Sequence, residues 1–248
     1  MPFAAGMYYE EHGSGPALVL SHGVIESSRS LRALAERLAG RFRTIAYDGR
    51  GRGRSAGGPV DHRRLADDVA ALARALELGR FHHAGHSLGG RVALEHAATH
   101  PDQVAGIAVV SARVEALDGA GRARLRRLIA RARREGAGAA ADLWIDRADP
   151  LHADVSAISA ANGLAGTIAA LECLLRIDSF VDRLADVRAP VLVMVGDRDD
   201  AYLRCARLMA ERLPRAELAV LPGVGHFPNL EAPDRVAERL AGFFAAQG

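Results

Sequence analysis

Residues 81–90, F-H-H-A-G-H-S-L-G-G, constrain this chain more than any other stretch. Four residues that suit a strand lead into Gly85-His86-Ser87-Leu88-Gly89, and a helical pattern over 91–100 follows at once. A serine between a strand end and a helix start, with glycines two before and two after it, implies a sharp turn where larger side chains would collide. Such a turn lifts the hydroxyl clear of the sheet. The unpaired N–H groups of the new helix then point at whatever bonds to that hydroxyl. A serine that merely N-caps a helix after a glycine turn is the simpler alternative, so the reading depends on partners elsewhere in the chain.

The chain around this turn alternates strand and helix. Apolar runs at 17–21, 43–48, 104–110, 190–195 and 216–221 read as strands, with another at 7–10. Helices are expected near 31–39, 61–78, 91–100, 202–213 and 234–245. In the second of these Leu65, Val69, Leu72 and Leu76 share one face. This alternation indicates an α/β protein with a doubly wound, mostly parallel sheet, and it places a ligand site beyond the carboxyl ends of the strands. The stretch 112–189 breaks the pattern. It reads as helices at 122–134 and 137–146 and a weaker one within 156–177, a helical cap inserted into a core made of 1–111 and 190–248.

Composition removes several function classes. The 248 residues carry a net charge of only +2, and all 32 basic residues are arginine. With no lysine, neither lysine Schiff-base chemistry nor a phosphate-loop lysine is available. Gly49 and Gly51 open a superficial dinucleotide fingerprint, but a second loop at 56–60 replaces the helix that motif needs. Cys173 and Cys205 lie far apart without zinc spacing, so no metal and a reducing cytoplasm are expected. No signal peptide or membrane-spanning run is visible. The seven arginines within 122–134 accompany a stripe of Leu125, Leu128, Ile129 and Ala132. That pattern is a solvated helix face, not a nucleic-acid surface with interleaved aromatics.

A serine hydroxyl needs a base within hydrogen-bond reach, and the base needs an orienting carboxylate. His226, in the glycine-bracketed loop G-V-G-H-F-P after the last strand, is the best-placed base. The acid is expected in the loop after 190–195, where Asp197, Asp199 and Asp200 all qualify and Asp199 is favoured. The order Ser87, Asp199, His226 is the order such a fold requires. Oxyanion donors are expected from the N–H of Leu88 and from that of Val24, in the loop opened by His22-Gly23. Arg91, one helical turn beyond Ser87, can face the pocket or form a structural ion pair. Trp144, the single tryptophan, packs in the core or lines the pocket.

Taken in order, His22-Gly23, Asp48-x-Arg50-Gly51-x-Gly53-x-Ser55, Gly85-x-Ser87-x-Gly89-Gly90, Gly196-x-x-Asp199 and Gly225-His226-Phe227-Pro228 resemble the α/β-hydrolase superfamily along essentially the whole chain. The resemblance implies a cofactor-free serine hydrolase with a helical cap between the sixth and seventh strands. Asp199 is followed by Asp200-Ala201-Tyr202, whereas many relatives have proline there. The short N-terminus and moderate cap are similar to enol-lactone hydrolases and cofactor-free haloperoxidase-type esterases. Gly89-Gly90-Arg91 and residues 196–202 are similar to the menaquinone-pathway 2-succinyl-6-hydroxy-2,4-cyclohexadiene-1-carboxylate synthases. An ester or lactone hydrolase is therefore expected, acting on a small molecule, with carboxylate-bearing substrates among the candidates. His22, Gly23, His86, Arg91 and Trp144 are the expected substrate contacts. A C–C hydrolase of β-diketones, a triad-based lyase and a non-catalytic binding scaffold are the alternatives. No membrane or nucleic-acid partner is expected, and the chain is read as a monomer or homodimer.

Overall fold

The computed structural model describes residues 2–58 and 60–247. Eight strands form one sheet: β1 (Phe3–Ala4), β2 (Met7–His12), β3 (Ala17–Ser21), β4 (Arg43–Tyr47), β5 (Phe81–His86), β6 (Val104–Val110), β7 (Val191–Gly196) and β8 (Ala216–Leu221). Their spatial order is β1-β2-β4-β3-β5-β6-β7-β8. The β1–β2 and β2–β4 pairs are antiparallel, and every pair from β4 to β8 is parallel. The chain leaves β3 toward β4 on one side and returns to β5 on the other. That reversal opens a crevice at the carboxyl ends of β3 and β5, where a doubly wound sheet binds ligands.

Because successive strand residues point to opposite faces, the continuous apolar runs are buried on both sides. Leu18, Leu20, Leu192 and Met194 pack under α1 (Ser28–Leu38) and the closing helix Pro233–Ala245, through Leu31, Leu34, Leu240 and Phe244. On the other face Val19 and Ile45 meet Val69 and Leu72 of α2 (His62–Ala75) and Val92 of α3 (Leu88–Thr99). The Asp61 carboxylate caps α2 by accepting from the Arg63 N–H at 3.0 Å.

The helical excursion lies between β6 and β7. It begins with α4 (Gly119–Glu135), capped by Asp118 at one end and closed at Gly136, whose φ is +97°. Two expectations change here. The helix expected over 137–146 is a 3-10 stretch, Ala137–Leu143, and Gly138 within it lies against Ser156, where a Cβ would meet the Ser156 hydroxyl at 2.7 Å. The single weak helix within 156–177 is two helices, α5 (His152–Ala161) and α6 (Leu164–Arg176), bent by 105°. The break has a visible cause. Asn162 turns its side chain out of the helix to accept from the Gly53 N–H at 3.0 Å and donate to the Ile25 carbonyl at 3.0 Å, and Gly163 takes a φ of +73°. The remaining α-helices are α7 (Asp200–Arg212), α8 (Pro228–Glu231) and α9 (Pro233–Ala245). Among the described residues no single helix is long and apolar enough to cross a membrane.

Buried histidines on β5 and α3 make this core sensitive to acid. His96 Nε2 donates to the Gln103 side-chain oxygen at 3.1 Å, so its Nδ1 is left to accept from His83 Nδ1 at 3.4 Å. His83 Nε2 in turn accepts from the Ser21 hydroxyl at 2.7 Å, and Ser21 accepts from Tyr47 at 2.7 Å. This one-way chain works only with both rings neutral. Burial pushes His82 and His96 down to about 4 and holds His83 well below the ordinary imidazole value. The unfolded chain therefore takes up protons below pH about 6.5 that the folded chain refuses until about 4. Stability is complete above that window and declines through it, by up to about 1.4 kcal/mol per pH unit for each histidine. Melting temperature is expected to fall between pH 7 and 5. His82→Phe preserves the ring stacked 4.5 Å from Phe244 and is expected to flatten the fall. A melting temperature that stays constant from pH 7 to 5 would contradict this account.

Candidate active site

Ser87 links the end of β5 to the start of α3 with φ +53° and ψ −113°, a conformation L-residues rarely adopt. Two glycines make it tolerable. A Cβ on Gly85 would overlap the Gly89 carbonyl, and one on Gly89 would overlap the carbonyl of Ser21 on the neighbouring strand. The turn is held by the Ser87 N–H donating to the Val110 carbonyl at 2.8 Å. Ser87 is 8% exposed and lines a cavity of about 290 Å³ with Leu88, Asp199 and His226.

The three aspartates of the loop after β7 make different contacts. His226 Nδ1 lies 2.8 Å from Asp199 Oδ2. Asp197 instead accepts from the Gly223 N–H at 2.7 Å, holding the turn after β8, and Asp200 starts α7. With its Nδ1 proton directed at Asp199, the neutral ring presents an unprotonated Nε2. Burial pulls the His226 pKa below the ordinary imidazole value, and the Asp199 charge opposes that pull. The imidazole is walled by aromatics. The Trp144 ring is nearly parallel to it at 6.0 Å, and Tyr202 lies 4.3 Å away and accepts from Trp144 Nε1 at 3.2 Å. Glu231 of α8 shapes the loop itself by accepting from the N–H groups of Gly225 at 2.7 Å and Phe227 at 3.0 Å.

Beneath these loops lies a buried ion pair. Glu26, 1% exposed, sits 2.5 Å from His86 Nδ1, and His86 Nε2 donates to the His226 carbonyl at 2.7 Å. Both imidazole nitrogens thus face acceptors, which makes His86 an imidazolium. Burial would neutralise each partner, but the mutual charge and hydrogen bond win: Glu26 is held at about 2 and His86 is raised. Glu26 also accepts from the Gly23 N–H at 2.6 Å and from Asn229 Nδ2 at 3.0 Å. One carboxylate therefore ties together the loop after β3, the Ser87 turn and the His226 loop. Sequence reasoning missed it; its only signal was a lone carboxylate in an otherwise uncharged loop.

The other expected contacts divide. Arg91 and Trp144 line the cavity with Ser87. His22, Gly23 and His86 do not, because they are consumed by the scaffold. His22 accepts from the Gly49 N–H at 2.9 Å and donates to the Gly23 carbonyl at 2.8 Å, joining the loops after β3 and β4. Val24 borders a separate space of about 30 Å³ that also touches Leu88 and Arg52. Among the described residues neither the Val24 nor the Leu88 N–H has a hydrogen-bond acceptor, and no three histidine, cysteine or acidic side chains are grouped to hold a metal ion.

Comparison with known proteins adds to this geometry. A model of the alpha/beta hydrolase family matches residues 18–239. The protein named carbamate hydrolase RutD in Caulobacter sp. strain K31 is 33% identical over 98% of this chain and 97% of its own. The 2-(acetamidomethylene)succinate hydrolase of Mesorhizobium japonicum is 31% identical over 95% and 90%. Among solved structures, a thermophilic esterase from Thermogutta terrifontis superposes with a TM-score of 0.89 at 28% identity, covering 97% of this chain and 93% of that one.

Breaking a buried ion pair from one side is costly, of order 3 kcal/mol. Glu26→Ala is therefore expected to lower the melting temperature by roughly 6–12 °C, with Glu26→Gln recovering part of the loss by keeping the Gly23 contact. Thermal melts of the two variants check this, and an unchanged Glu26→Ala melt would contradict it.

Proposed function

The chain belongs to the alpha/beta hydrolase family and is a hydrolase, and from that premise we propose that it cleaves a small carboxylic ester or lactone through an acyl-enzyme on Ser87. In this reading His226 Nε2 takes the Ser87 hydroxyl proton while Oγ attacks the carbonyl carbon. The carbonyl π electrons move to oxygen, and the resulting oxyanion is held by the N–H groups of Val24 and Leu88. Asp199 steadies the imidazolium, which returns its proton to the leaving alkoxide as the carbon–oxygen bond breaks. Water then repeats the sequence on the acyl-enzyme and frees Ser87.

The observation that supports this most is the 2.8 Å contact between His226 and Asp199 in the lining of the cavity that Ser87 also borders. It fixes the tautomer in which His226 can accept a proton. The segment 112–189 is proposed to act as a cap, since Leu117, Leu125, Leu143 and Trp144 from it form one wall of that cavity. The relatives named for carbamate and acetamidomethylene-succinate hydrolysis support acyl-type cleavage and extend the candidate substrates to C–N bonds.

Ser87→Ala is expected to lose at least about a thousandfold in kcat/KM on p-nitrophenyl butyrate, and equal rates for the two proteins would reject the proposal. The unprotonated His226 is the active form and burial lowers its pKa, so kcat/KM should rise with pH through an apparent pKa below 6.5. Asp199 raises that pKa, so Asp199→Asn should shift the limb further down and cost roughly a hundred- to ten-thousandfold in rate. A pH–rate profile of both proteins measures the two effects together. A limb moving upward in Asp199→Asn would contradict the assignment.

A further inference from the structure

Three arginines reach the cavity, and their partners set them apart. Arg91 is 2% exposed, donates to the Asp178 carbonyl at 2.9 Å and has the Glu95 and Asp178 carboxylates at 3.5 Å. Its charge is matched within the protein. Arg113 and Arg124 are different. The Arg113 guanidinium lies 5.8 Å from the Tyr202 ring centre, and Arg124 Nη2 donates to the Leu143 carbonyl at 2.9 Å. Among the described residues neither has a carboxylate within 4.0 Å. Elsewhere on α4, Arg131 pairs with Glu135 and Asp142, and Arg133 pairs with Glu172.

The cavity also holds one anion that His226 does not engage. Glu115 borders it and accepts from the Cys205 thiol at 3.1 Å. Burial pushes that thiol up to about 12, so it remains a donor and turns the carboxylate toward α7. Two guanidinium groups without carboxylate partners outnumber this one carboxylate, so the three together give the cavity lining a net positive charge. The rest of the cavity surface is largely apolar, which strengthens any charge pairing formed there.

We propose that Arg113 and Arg124 form a carboxylate subsite, so that the substrate is the hemiester of a small dicarboxylic acid or a lactone bearing a free carboxylate. The inference rests on the reading of Ser87 and His226 as the reacting groups. Arg113 packs toward Tyr202, and Tyr202 packs against His226 at 4.3 Å. Arg113 is thus about one aromatic ring away from the proposed reaction centre, which suits a short spacer between carboxylate and ester. The planar guanidinium matches a carboxylate with two parallel hydrogen bonds.

The test compares mono-p-nitrophenyl adipate with its uncharged methyl-capped diester. Wild type should favour the hemiester, and the preference should shrink in 0.5 M NaCl (about a threefold to fourfold shorter screening length than at low salt). The KM of the hemiester relative to the diester should rise about tenfold in Arg113→Gln and about threefold in the more exposed Arg124→Gln. It should fall in Glu115→Gln and stay constant in Arg133→Gln, which makes the same charge change on the same helix. An unchanged ratio in both cavity arginine variants, or a wild-type preference for the diester, overturns the subsite. Hydrolysis of both esters that survives Ser87→Ala would refute the serine reading instead. The subsite is then judged on Ser87→Ala protein by thermal shift. Stabilisation by monomethyl adipate but not dimethyl adipate, lost in Arg113→Gln, supports it, and equal shifts overturn it.

Discussion

The Glu26 carboxylate is the contact on which the architecture of the site depends. It is buried, charged and shared among the Gly23 N–H, the His86 imidazolium and Asn229. Asn229 donates onward to the Ser30 carbonyl of α1 at 3.2 Å, and His86 donates to the backbone of His226. A charge removed from water loses several kcal/mol of hydration, and only a full set of close partners offsets that loss. Those partners come from the loops after β3 and β8, from the Ser87 turn and from α8. The pair therefore holds in register the backbone segments that present Val24, Ser87 and His226.

Around that pair the fold stores and offsets strain. Ser87 is held in a backbone conformation that costs of order 1–3 kcal/mol, and the close approach of Gly89 to β3 leaves the turn no alternative. The helical segment is fastened to the same region from above. Asn162 bonds to Gly53 and Ile25, and Arg52 Nη1 donates to the Gly166 carbonyl at 2.9 Å. Leu125, Leu128 and Ile129 of α4 join the core that contains Leu88 and Val92 of α3. The cavity wall is thus continuous with the packing that positions the turn.

Legibility in the sequence followed the range of the interactions. The strands and the sharp turn between β5 and α3 were readable because local signals carry them: apolar runs, glycines at fixed offsets and turn residues. Asp197 and Asp199 lie in one short loop, and local sequence separates them poorly because the contact that distinguishes them comes from His226, 27 residues on. His22 and His86 were expected at the substrate, and in the structure each gives both ring nitrogens to the scaffold. No local pattern announces that use. The break between α5 and α6 was equally hidden, because Asn162 leaves the helix for partners more than a hundred residues away in the chain.

The proposed function stands on Ser87 being a nucleophile activated by His226. The most direct measurement is mass spectrometry of the protein after exposure to a fluorophosphonate, which forms a stable phosphonyl–oxygen bond with an activated serine and releases fluoride. The account predicts a single adduct, located on the peptide containing Ser87, absent in Ser87→Ala and formed at least about a hundredfold more slowly in His226→Ala. No adduct on the wild-type protein, or an adduct on another residue that persists in Ser87→Ala, would contradict it.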